Sequence, residues 1–137
     1  MFRKNRKEVV LSESTLVILR TAEEILGFVL RDEKCKFHHA SLMFHDDTNL
    51  NQPDKSTLQD VTIHALIFVD NVCIDPRIRF DVEHINHRWK PRQDSLVLVT
   101  FFNDEPICFY FNEDGRLMSR RQEDVEKLND LRQRLIV

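Results

Sequence analysis

Between Val61 and Phe111 the chain carries four runs rich in β-branched and aromatic residues, with Asn, Asp and Pro gathered between them. Val61 to Val69 is almost wholly apolar and ends at the turn pair Asp70-Asn71. Ile78 to Glu83 alternates apolar with charged residues, and Pro76 stands just before it. Ser95 to Phe102 and Ile107 to Phe111 flank Asn103-Asp104-Glu105-Pro106, which predicts a hairpin loop. Ala40 to Phe44 and Arg116 to Met118 add two shorter candidates. Together they predict a curved antiparallel sheet of about five strands.

Helical periodicity brackets this sheet. Ile18, Leu19, Ala22, Ile25, Leu26, Val29 and Leu30 fall on one face of a helix. That helix would be capped by Ser12 or Ser14 and run to about Asp32. Near the C-terminus, Ser119 and Gln122 have the spacing of a capping box. Val125, Leu128, Leu131 and Leu135 then trace a narrow apolar stripe. The predicted class is α+β, with an N-terminal helix, the sheet and a C-terminal helix. The 137 residues suffice for one core. Residues 1–11, with Arg3, Lys4, Arg6 and Lys7, read as a basic flexible arm, and residues 12–137 as a single domain.

Composition excludes several chemistries. There are only 2 glycines, Gly27 and Gly115, and neither stands in a phosphate-cradling loop or a nucleophile elbow. The formal charge of -3 gives no overall pull toward nucleic acid or an anionic membrane. No apolar run approaches the roughly 20 residues of a membrane span. Met1 to Lys7 lacks the apolar stretch of a signal peptide. The 3 cysteines, Cys35, Cys73 and Cys108, are odd in number and far apart, which suits buried free thiols in cytoplasm or nucleus better than disulfides.

Three sets of residues invite a functional reading. The first is the sheet itself, since Val61–Val69, Leu96–Phe102 and Ile107–Phe111 are apolar on both rows and need cover on both sides. A strongly bent sheet would supply that cover, and so would a partner. The interaction face is expected at Ile63, Ile67, Leu98, Phe101, Phe109 and Phe111, with Trp89 at its rim. The second is the basic and aromatic segment Arg77, Arg79, Arg88, Trp89, Lys90 and Arg92, a pattern that can hold phosphates while a base stacks. Asp75, Asp81 and Glu83 alternate with it and predict cross-strand ion pairs instead. The third is a pair of zinc-like spacings, Cys35-x-x-His38 and His84-x-x-His87, with His39 and His45 nearby.

Other signals are weaker. Asp47-x-Asn49-x-Asn51 begins like a calcium loop. Gln52 then replaces the turn glycine, and Leu58 the bidentate glutamate. His45 with Asp46 and Asp47, and Asp81 with Glu83 and His84, are local acid–base groups common on solvated surfaces. The leading helix and the run Phe109-Tyr110-Phe111-Asn112-Glu113-Asp114-Gly115-Arg116-Leu117 resemble the nuclear transport factor 2-like cone folds. That resemblance implies a concave apolar pocket or a dimer face, and the closing helix departs from it.

The sequence thus favours a non-enzymatic protein-interaction module, acting through an apolar sheet face as a homodimer or a subunit of a complex. No cofactor is expected and no membrane. The alternative is a nucleic-acid-binding module using residues 77–92 and the N-terminal arm. A small acid–base or zinc-dependent enzyme ranks third.

Overall fold

The first helix follows directly from its residues. A computed structural model describes residues 12–44 and 58–136; the predicted basic arm, the calcium-like loop and the His45-Asp46-Asp47 group lie outside them. Ser12 is the N-cap of α1 (Glu13–Leu30), and its hydroxyl accepts the Thr15 N–H at 3.2 Å. Ile18, Ala22, Ile25, Leu26 and Val29 are all buried along one face. The helix stops at Leu30, two residues short of the expected end near Asp32, because Arg31 adopts a left-handed conformation (φ 57°) and Asp32 N–H donates back to the Gly27 carbonyl at 2.9 Å.

The sheet contains β1 (His39–Phe44), β2 (Leu58–Val69), β3 (Val72–Ile74), β4 (Arg77–Ile85), β5 (Arg88–Pro91), β6 (Val97–Thr100), β7 (Ile107–Phe111) and β8 (Leu117–Met118). All pairings are antiparallel, in the order β1-β2-β4-β6-β7-β8, with β3 also on β2 and β5 also on β4. The predicted α+β arrangement is present, but with eight strands among the described residues rather than about five.

Two interruptions account for the difference. Ile67 faces Ile74 and His64 faces Arg77, so β3 and β4 hold one register along β2 and part only around Asp75 and Pro76. Proline has no N–H to give the ladder. Similarly, β5 and β6 pair with successive parts of β4, separated by an excursion at residues 92–96 in which Asp94 has φ 62°. The hairpin turns at Asp70-Asn71 (φ 51° and 68°) and Asn86-His87 (φ 53° and 65°) have positive φ at both central residues, the geometry that matches strand twist.

Alternation along the strands defines the inner face. Ile63, Ala65, Ile67, Ile78, Phe80, Val82, Val97, Val99 and Phe109 join α1 in one buried cluster. Leu128 and Leu131 of α2 (Gln122–Ile136) complete it at the β7 end.

The second helix does not open on the predicted capping box. It begins at Gln122, and Arg121 takes the place of the cap, with its carbonyl accepting the N–H groups of Asp124 and Val125. Asp124 is buried yet fully engaged. It accepts from Arg121 Nε at 2.6 Å, from Arg121 Nη2 at 3.0 Å and from the Cys108 N–H at 3.2 Å. One carboxylate thus ties the start of α2 to β7.

Candidate functional site

The expected interaction face belongs mostly to the protein's own core. Ile63, Ile67, Phe101, Phe109, Phe111 and Trp89 are all buried, and only Leu98 is on the other side, half-buried. Where both rows of a strand are apolar, the sequence does not say which row turns to the helix. Here the odd-numbered residues of β2 do. Trp89 faces inward and leans on His84 with ring centroids 5.1 Å apart, so it anchors the core and has no open face for a nucleobase.

The basic segment is divided in the same way. Arg79 binds Asp60 through two nitrogens, with the shortest contact 2.6 Å, and Arg92 stands 4.0 Å from Asp81. Asp81 and Asp60 are opposite one another on β4 and β2. Burial, then the Asp60 charge, raise the Asp81 carboxyl above its ordinary value, while Arg92 and Arg79 pull it back. Arg77, Arg88 and Lys90 are exposed on the same elements. Two of the five cations are therefore neutralised by cross-strand carboxylates, and the segment is not a continuous basic stripe.

The zinc-like pairs are not brought together. Cys35 is buried beside the end of α1, and burial, then Asp32 and Glu23, push its thiol up to about 11. His38 packs edge-on against Phe68 at 5.2 Å, His84 lies against Trp89, and His87 occupies the β4–β5 turn. Among the described residues no group of three or more His, Cys, Asp or Glu side chains could hold a metal ion.

Among the described residues, the far side of β1 and the outer sheet face next to it are left open. β1 ends the strand order, and among the described residues no strand pairs with its other edge. Its six residues, His39-Ala40-Ser41-Leu42-Met43-Phe44, include no charged residue and no proline. Natural edge strands are usually protected by charge, proline or a bulge. In a chain with 31% charged residues, an unprotected edge is a departure that the sequence already displayed.

Exposed apolar side chains mark both ends of this edge. Met43 (60% exposed), Phe44 and Leu58 stand at one end. Phe68 (55% exposed) and the His38 ring stand at the other. Between them an outer row runs directly across four strands, Met43–Thr62–Arg79–Leu98, with Ser41–His64–Arg77–Thr100 beside it.

These features define a class: an α+β domain whose antiparallel sheet carries its helical cover on one face and has an unprotected edge strand. No protein-family model, curated protein or solved structure matches this chain. The resemblance to cone folds therefore rests on one hairpin alone. Among the described residues, no helix is long and apolar enough to cross a membrane.

Proposed function

We propose that this chain is a non-catalytic protein-interaction module whose working surface is the β1 edge together with the outer sheet face beside it. One observation carries the reading: the charge-free, proline-free edge strand His39–Phe44, flanked at both ends by exposed apolar side chains. An added strand would satisfy the open backbone groups through main-chain hydrogen bonds, and Met43, Phe44 and Phe68 would supply apolar area around it. The surface differs from the one composition first suggests, because the doubly apolar strands spend their inner row on α1. Of the three thiols expected to be buried only Cys35 is, with Cys73 exposed and Cys108 half-buried; free thiols at all three suit work in a reducing compartment, cytoplasm or nucleus.

The test places a photo-cross-linking benzoylphenylalanine at Met43, or at the exposed turn residue Glu113 as control, in the full chain expressed in its own host cell. Protein adducts formed at position 43 and absent at position 113 are expected. Equal labelling at the two positions, or none at 43, overturns the reading.

A further inference from the structure

We infer that the partner on this edge is a second copy of the chain, docked β1 against β1 about a two-fold axis; this rests on the reading of β1 as the working edge. The geometry is tightly constrained. Two identical antiparallel edge strands related by a two-fold axis extend one sheet, so the inner faces of both copies stay on the same side. Residues placed opposite each other must then share a face, and the axis must pass through a residue position rather than between two. Centring it on Ser41 sets His39 opposite Met43 and Ala40 opposite Leu42, which uses five of the six strand residues and leaves Phe44 opposite His38.

Three features favour this occupant. Self-pairing brings every side chain near the axis close to its own image, so any charge there would meet a like charge at a cost. β1 has none, whereas the outer rows of β2 and β4 carry Asp60, Arg77, Arg79, Asp81 and Glu83. A strand built to receive a charged foreign peptide would carry the complementary charge, and β1 offers none. Next, Ser41 and its neighbour Ala40 are the smallest residues of the strand, where two identical chains must approach most closely.

Lastly, the ends match. The two-fold axis sets the Met43–Phe44 end of one copy beside the His38–Phe68 end of the other, twice over, covering apolar groups that a monomer exposes. Thioether against aromatic ring is a favourable contact. A six-residue strand with two end patches falls at the small end of specific interfaces, below the roughly 800 Å² per partner of a standard one. The dimer should therefore be a weak one, with a dissociation constant on the order of micromolar.

Sedimentation velocity of the purified full chain across the micromolar range tests this. The sedimenting mass is expected to rise with concentration from 16.4 kDa toward twice that value. Ser41→Lys sets two ammonium groups on the axis and is expected to weaken association at least tenfold. Ser41 is exposed, so fluorescence of buried Trp89 should report an unchanged fold. A second variant, Ser41→Cys combined with Cys73→Ser, should cross-link to itself on mild oxidation. A monomer at every concentration, or a dimer indifferent to Ser41→Lys, overturns the inference. If the chain is monomeric while Met43 still captures a different protein in cells, only the second-copy assignment fails and the interaction-module reading survives.

Discussion

Asp124 has almost no access to water, yet it holds its charge. Burial alone would raise its carboxyl, but the Arg121 hydrogen bonds and the Cys108 N–H outweigh that and hold it below the ordinary carboxylate value. A depressed folded-state value stabilises the protein above the unfolded-state pKa. That contribution is lost as pH falls from about 4 through the folded value. Asp124→Ala leaves the Cys108 N–H without its acceptor and is expected to cost about 2 kcal/mol. Asp124→Asn keeps an acceptor but loses the charge, and should cost less. Urea unfolding followed by Trp89 fluorescence measures both, and each variant should show a shallower acid limb below pH 4 than the wild type. Asp81 acts with the opposite sign. Its raised value means that protonation relieves a cost, so acidification recovers stability there until the carboxyl is fully protonated.

The two helices illustrate what can be read at the scale of elements. The core row of α1 was legible because Ile18, Ala22, Ile25, Leu26 and Val29 keep a single 3.6-residue period. Its end was read two residues too far, since a left-handed Arg31 carries no glycine signal. The short strands β3 and β5 were missed for a related reason: two-residue turns at Asp70-Asn71 and Asn86-His87 return the chain at once, leaving only three or four residues to read. Partners distant in sequence were equally hidden. Arg132 of α2 donates to the carbonyls of Val29 at 2.8 Å and Phe28 at 2.7 Å, satisfying acceptors at the negative end of α1. Its guanidinium also faces the Phe28 ring at 5.6 Å. Arg132→Met keeps much of the side-chain volume and removes these bonds. It is expected to lower stability by about 1 to 2 kcal/mol, and Arg132→Lys by less. Thermal unfolding of the three proteins, compared at one pH, should rank them in that order.

Across the whole molecule the sheet is finished differently at its two ends. β7 is covered by β8 and by the Asp124 carboxylate that accepts the Cys108 N–H, with α2 packed alongside. β1 has neither a strand nor a helix cap on its outer side among the described residues. Its buried anchors are also few: Ala40 and Leu42 are only partly covered, whereas β2 gives the core Val61, Ile63, Ala65 and Ile67, and β4 gives it Ile78, Phe80 and Val82. Local opening should therefore begin at β1, with β2, β4 and α1 exchanging only through global unfolding. Hydrogen exchange can separate this intrinsic gradient from association. In dilute protein, the β1 amides between His39 and Phe44 should exchange fastest of any strand. At tens of micromolar, those amides should slow while β5, another short strand that pairs on one side only, stays as it was. Protection that rises equally in β1 and β5 would reflect general stabilisation. Protection confined to β1, and abolished by Ser41→Lys, would mark the edge as the place where two sheets become one.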